Sequence, residues 1–226
     1  PIEVPPGRGG LTPQVNLSYS SSFGNGPMGV GWQVSKSYIS RSLKDGKPTY
    51  TDNDTFTLNL LGAVHTLVET DDGEYRVKYE GMFLKVEHLD DDSWLVQDPN
   101  GTVYYFGLKS NSRLEEPDGL GTLHWYLVRM TDANGNRIDY KYSYAGDGEY
   151  VYLAQIDYDY GNQIVFEKGD GKSRSDVVTR YNNFFPTYVD YRYENIYVYH
   201  DGERVRKYSL SYEDSPNNNR TRLTSI

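Results

Sequence analysis

Four histidines, 32 acidic side chains and no cysteine bound the chemistry open to this 226-residue chain. His65, His88, His124 and His200 are scattered, with no pair two or four residues apart, so a zinc centre would need long-range assembly without a thiolate. Asp52 and Asp54 in "TDNDT", and Asp90 to Asp92 in "LDDDS", could chelate calcium through carboxylate and carbonyl oxygens. Neither stretch has the glycine and closing glutamate of an EF-hand loop, and solvated acidic turns are the plainer reading. Glycoside cleavage needs two carboxylates at a set separation, and with 32 acidic residues the sequence singles out no pair. A nucleophile elbow needs a serine between glycines, which neither "GMFLK" nor "GNGPM" provides. No catalytic residue, metal ligand or cofactor is assigned, and the chain is not expected to be an enzyme.

Gly24, Gly26, Gly29 and Gly31 meet the loose spacing of a dinucleotide loop. The residues that follow, "WQVSKSYIS", alternate with a period of two and have no helical face, so the glycines are expected to turn a corner. Such a corner would seat Trp32 in the core, with Arg41 reaching back to Asp52 or Asp54. Lys47 follows no phosphate-cradling loop. Tyrosine is the compositional outlier, 23 residues against 7 phenylalanines. Tyr140, Tyr142 and Tyr144 are expected to share one strand face, and Tyr191, Tyr193, Tyr197 and Tyr199 another. Exposed aromatic faces stack on sugars, which makes a carbohydrate-binding or adhesion module the second functional reading. The alternative is a set of cross-strand aromatic ladders, each pair contributing roughly 0.2–1 kcal/mol.

The elements that must position these residues read as strands. Short alternating runs such as "PQVNLSYSSS" and "TFTLNLLG" are punctuated by Gly, Asn and Asp, the pattern of antiparallel hairpins. "DPNGTVYYF", "DANGNRIDY" and "DYGNQIVF" each place an Asp and Gly turn before an aromatic strand, a loose internal repetition. The best helix candidate is Ser173 to Phe185, where Ser175 could cap a turn or two, but its β-branched residues and the Asn182 and Asn183 pair weaken it. The fold class is therefore all-β, mainly antiparallel hairpins forming a large curved sheet in one or two lobes, with a soft boundary at 108–121. A formal net charge of -9 with no basic stripe argues against a nucleic-acid partner. No run of about 18 apolar residues offers a membrane-spanning helix. Pro1 in place of Met implies that the chain starts inside a longer product or was trimmed. An open strand edge is expected at "RLTSI".

The opening 41 residues resemble the N-terminal region of the Salmonella virulence plasmid B protein family, which also opens the B component of insecticidal toxin complexes. The signature consists of Pro6, Gly7 and Arg8; Pro13 before Leu17, Tyr19 and Ser21; Gly24, Asn25 and Gly26; Gly29, Gly31 and Trp32; then Ile39 and Arg41. "WYLVRMTDANGNRIDYKY", with Asp132, Gly135, Asn136, Ile138 and Tyr140, is similar to the tyrosine-aspartate repeats of Rhs shells. "RKYSLSYEDSPNNNRTRLTSI" resembles the family's closing strands, while Glu167 to Phe185 departs from its approach to an Arg-x-Asp. The resemblance implies a non-catalytic structural and delivery role in a secreted bacterial virulence protein or toxin-complex component, made in the cytoplasm before export. It implies a β shell that encloses or presents a downstream effector. The implied partners are the remainder of its own chain, whether propeller, Rhs-like shell or effector domain, and other toxin-complex subunits.

Overall fold

The computed structural model describes all residues except 52, 80, 146–147, 160, 170–173 and 175. The chain is almost wholly antiparallel β. After a 3-10 turn at Arg8–Gly10 come β1 (Leu17–Tyr19), β2 (Asn25–Gly26), β3 (Gly29–Val30) and β4 (Trp32–Val34). β2 pairs with β3, and β1 with β4 outside them, so the glycine run is the tip of a nested hairpin.

The main sheet follows: β5 (Tyr38–Arg41), β6 (Phe56–Leu60), β7 (Ala63–Glu69), β8 (Tyr75–Val77), β9 (Lys85–His88), β10 (Trp94–Gln97), β11 (Val103–Phe106), β12 (Arg113–Glu115) and β13 (Thr122–Thr131). From β5 to β11 each strand pairs with the next in sequence, as short polar turns dictate. β13 then pairs with β11 along one edge and, through His124, Trp125 and Tyr126, with β5 along the other, closing an eight-stranded barrel. From residue 129 onward the β5-side edge of β13 pairs with β14 (Arg137–Ala145), so the barrel runs on into an open sheet. That sheet continues through β15 (Gly148–Tyr158), β16 (Asn162–Lys168), β19 (Tyr193–His200) and β20 (Glu203–Ser209). Two hairpins complete the chain, β17 (Val178–Arg180) with β18 (Thr187–Val189), and β21 (Ser211–Asp214) with β22 (Thr221–Ser225). Among the described residues no helix is long and apolar enough to cross a membrane.

Period-two patterning fills the barrel. Phe56, Leu58 and Leu60, then Trp94 and Val96, Tyr104 and Phe106, and Trp125 and Leu127 all point inward and are buried. Phe56 and Trp94 pack edge-on at 4.9 Å, and Trp94 and Trp125 at 5.8 Å. Eight strands enclose just enough space for such side chains. A second cluster, with Met28, Leu123, Ile138, Tyr152, Ile164 and Ile196, lies between the open sheet and the N-terminal segment, and Met130 and Tyr140 touch both clusters. In the stretch 108–121, β12 pairs with β13 and Leu114 joins the second cluster, while Trp125 and Leu127 farther on belong to the barrel.

One local expectation is corrected, and one weak helix candidate does not form. The described part of 173–185 holds β17 and a turn, since β-branched residues take the extended conformation once Thr187, Tyr188 and Val189 offer a partner strand. Ser173 and Ser175 lie outside the described residues. Nor do the later tyrosines share one face. A register shift between Glu167 and Lys168 inserts an extra residue opposite β16, so Tyr193 is buried with Ile196 and Val198 while Tyr197 and Tyr199 face the other way.

The repeated turns are built alike. Asp98 Oδ1 accepts from the N–H of Asn100 and Thr102 at 2.9 Å each, and Asp132 Oδ1 accepts from Asn134 and Asn136 at 2.9 Å each. Gly101 N–H returns to Asp98 O and Gly135 N–H to Asp132 O, both at 3.0 Å. An aspartate side chain that closes its own turn makes this hairpin legible from four residues. The third turn contains residue 160, outside the described residues.

Candidate functional site

The signature residues gather at three joints. At the first, the backbone and side chain of the Gly24-Asn25-Gly26 run are clasped by residues far along the chain. Arg174 Nη1 donates to Gly26 O (2.7 Å) and Nη2 to Asn25 Oδ1 (2.6 Å). Its Nε donates to Asp176 Oδ1 at 3.0 Å, and the two side chains are 0% and 6% exposed. Asn25 Nδ2 and the N–H of Thr221 both donate to Asp176 Oδ2, and Thr221 Oγ1 donates to Oδ1. Burial acts to raise the Asp176 pKa, but the hydrogen bonds from Arg174, Thr221 and Asn25 outweigh it and hold the carboxyl far below the usual range. This clamp joins the first hairpin, the stretch before β17 and the last strand.

Close packing here requires glycine. Gly29 and Gly31 have φ of +80° and +79°, and added Cβ atoms would lie 2.6 Å from Thr221 O and 2.4 Å from Tyr19 Cε2. Replacing Gly31 with valine is expected to cost about 1–3 kcal/mol in urea denaturation, because a β-branched residue is strained at that φ. A loss no larger than that of an exposed substitution would discard the requirement. Trp32 is only half-buried, packing on Tyr19 at a ring distance of 5.5 Å. It shares its strand face with buried Val34 and packs against the second cluster from the edge, while the fully enclosed tryptophans are Trp94 and Trp125.

At the second joint the N-terminal Gly7-Arg8 turn meets the Asp132–Asn136 turn. Arg8, Leu11, Asn134, Gly135 and Asn136 line one cavity of about 510 Å³. Gly7 N–H donates to Thr12 Oγ1, Asn136 Nδ2 donates to Asp132 Oδ2, and Pro13 is buried beside Val15. Tyr158 anchors the same segment by donating to Pro5 O at 2.9 Å.

The third joint is Arg41, which closes one end of the barrel. Its Nη1 pairs with Asp54 Oδ2 at 2.8 Å, its Nε donates to Thr122 O at 2.9 Å, and Nη1 also reaches Thr51 O at 3.2 Å. The guanidinium lies 5.3, 5.2 and 5.7 Å from the ring centroids of Tyr50, Phe56 and Trp125. Burial pushes the Asp54 pKa up, and hydrogen bonds from Thr49, Arg41 and Tyr50 together bring it below the usual range. Asp54, one of the two partners expected for Arg41, is engaged with it; Asp52 lies outside the described residues.

Several of the remaining candidates are engaged structurally. Asp91 accepts from Ser93, and Asp92 accepts from Arg113, Thr122 and His88. Among the described residues no group of three His, Asp or Glu side chains is placed to hold a metal. Tyrosine hydroxyls act as struts: Tyr142 donates to Leu127 O and Tyr193 to Leu153 O, at 2.8 and 2.9 Å. Tyr140 lies between the two cores, and its pKa is raised by burial. Arg204 and Lys207 each sit 5.6 Å from the Tyr197 ring centroid, covering that aromatic face. Sequence reasoning missed Arg174 as a clamp; the Arg-x-Asp at 174–176 was the available signal.

One histidine carries a pH dependence. Burial lowers the His124 pKa to about 4, outweighing the opposing effect of the Asn183 side chain, and Lys36 adds to the lowering. The unfolded chain thus binds the extra proton between pH about 6.5 and about 4, so stability is full above that window and falls as pH drops through it. Chemical denaturation of the wild type and His124→Phe over that range is expected to show a smaller slope in the variant; equal slopes would refute the assignment. Below pH about 4, protonation of Asp54 and Asp176 removes further stability.

A barrel that runs into an open sheet, with its signature residues spent on joints between distant segments, defines a structural β module. Residues 1–162 match the family model SpvB: Salmonella virulence plasmid 65kDa B protein, and the chain belongs to that family. The Mono(ADP-ribosyl)transferase SpvB of Salmonella choleraesuis (strain SC-B67) is 30% identical over 59% of this chain, and the match spans 27% of that relative's length. The N-terminal domain of effector protein SpvB from Salmonella typhimurium strain LT2 has a similar fold, with a TM-score of 0.81 and 23% identity over 96% of this chain and 94% of that one. A chain of the Photorhabdus luminescens Tc holotoxin pore matches with a TM-score of 0.78 and 21% identity, over 96% of this chain and 14% of that one.

Proposed function

We propose that residues 1–226 act as one non-catalytic β region of a secreted bacterial virulence or toxin-complex protein, forming part of a wall that encloses or presents a downstream effector. The observation that carries this is the double match in extent: the same fold fills 94% of a separately solved N-terminal domain and 14% of a chain in a toxin pore. A unit that serves both as a domain and as a small part of a large chain is a building block. The three joints support the reading, since their charged groups are used to tie segments together. Its partners in this proposal are the rest of its own protein and other toxin-complex subunits.

Limited proteolysis of the full-length protein, with and without residues 1–226, tests this. Removal is expected to speed digestion of the segments that follow. Unchanged digestion would overturn the wall and favour an independently acting module.

A further inference from the structure

A cleft of about 520 Å³ lies where β5 and β13 leave the barrel and the β17–β18 hairpin passes over the start of β15. In a chain of net charge -9, the lining includes Lys36, Arg41, Lys44 and Arg180 and no aspartate or glutamate. Arg41 is committed to Asp54. Among the described residues the other three cations have no carboxylate partner within ion-pair distance. Lys36 Nζ donates to Val151 O at 3.2 Å and lies 4.8 Å from the ring centroids of both Tyr126 and Tyr150. Arg180 Nη2 donates to Phe23 O at 3.1 Å, which leaves other guanidinium donors for a ligand.

The cleft also holds a polar atom with nothing to bind. His124 Nδ1 is buried without a hydrogen-bond partner, and its ring meets Tyr38 edge-on at 5.3 Å. Unpaired buried polar atoms are costly and few in folded proteins, and at the wall of a cavity they point to a ligand. A hydroxyl suits this atom whichever ring nitrogen carries the proton, since a hydroxyl both donates and accepts. Asn182 and Asn183 also line the cleft and add amide donors and acceptors.

We propose that this cleft binds a sugar acid, its carboxylate held by Lys36 and Arg180, its ring against Tyr38 and Tyr150, and one hydroxyl on His124 Nδ1. The volume suits a small ligand. Tyrosine rings give the flat apolar wall that a pyranose face needs, and a guanidinium binds carboxylate through paired donors. Simple anions and glutamate side chains would use the cations but leave the tyrosine wall and His124 without a role. The wall function proposed above does not depend on this site.

Isothermal titration of the 226-residue chain with glucuronate and with N-acetylneuraminate tests the proposal, with glucose, inorganic phosphate and a glutamate-rich peptide as comparators. At least one sugar acid is expected to bind about tenfold or more tighter than each comparator. Arg180→Met and Lys36→Met should each weaken that binding about tenfold, through loss of a charge-assisted hydrogen bond. Lys44 is exposed at the rim, so Lys44→Glu should leave the circular dichroism spectrum unchanged and still weaken binding, even if Lys36→Met misfolds. Equal affinity for glucose, equal affinity for phosphate (an adventitious ion only), preference for the peptide, or no binding by either sugar acid would each overturn the proposal. Binding that survives both Lys44→Glu and Arg180→Met would place the site elsewhere and overturn it too.

Discussion

Asp176→Ala is expected to destabilise the protein by about 3–5 kcal/mol, the range for removing one partner of a buried ion pair. The size follows from what is left behind. Arg174, with a side chain 0% exposed, would keep its bonds to Asn25 and Gly26 but lose the charge that offsets its own burial. The Thr221 N–H and hydroxyl and the Asn25 amide would lose their acceptor in the same step. Asp176→Asn should cost less, since one side-chain oxygen remains to accept, and the double variant Arg174→Met/Asp176→Ala should cost less than the sum of its parts. Urea denaturation of the wild type, Asp176→Ala, Asp176→Asn, Arg174→Met and the double variant measures these terms. If Asp176→Ala loses under about 1 kcal/mol, a surface-like value, the clamp does not hold the ends of the chain.

The second large effect is Arg41→Met, expected at about 2–4 kcal/mol. Methionine fills much of the space against Tyr50, Phe56 and Trp125, so the loss is electrostatic rather than a cavity. Thr122 O and Thr51 O would lose a charged donor, whereas Asp54 keeps bonds from the N–H groups of Thr49 and Tyr50 and from the Thr49 hydroxyl. That retained shell is why the cost should fall below that of Asp176→Ala. Arg41→Lys should recover only part of it, because an ammonium cannot reach Thr122 O and Asp54 with the same planar fork. Full stability in Arg41→Met would falsify the role of the arginine as the barrel's closing group.

These two joints differ in how far the sequence discloses them. Arg41 and Asp54 are 13 residues apart, across the connection between β5 and β6, so proximity in the chain made the pairing readable. Asn25 and Arg174 are 149 residues apart, and nothing near Asn25 indicates that a distant guanidinium will fill its amide. Trp32 illustrates a different gap: an alternating pattern puts it on the core-facing side with Val34, but how deeply it is enclosed depends on which element covers it. The tyrosines of β19 fall on both faces because one bulge inverts the alternation beyond it, and a bulge is settled by the partner strand.

By itself the sequence determined the all-β class, the hairpin turns at Asp98–Gly101 and Asp132–Gly135, and the period-two faces. Each of these rests on side chains bonding or excluding water within a few residues of themselves. Only the tertiary structure decided that β13 returns to β5 and closes a barrel, that Arg174 and Asp176 clasp Asn25 and Thr221, and that Lys36, Arg180 and His124 line one cleft. Such contacts join segments far apart in the chain, and their geometry follows from packing whole strands together, which no local pattern encodes.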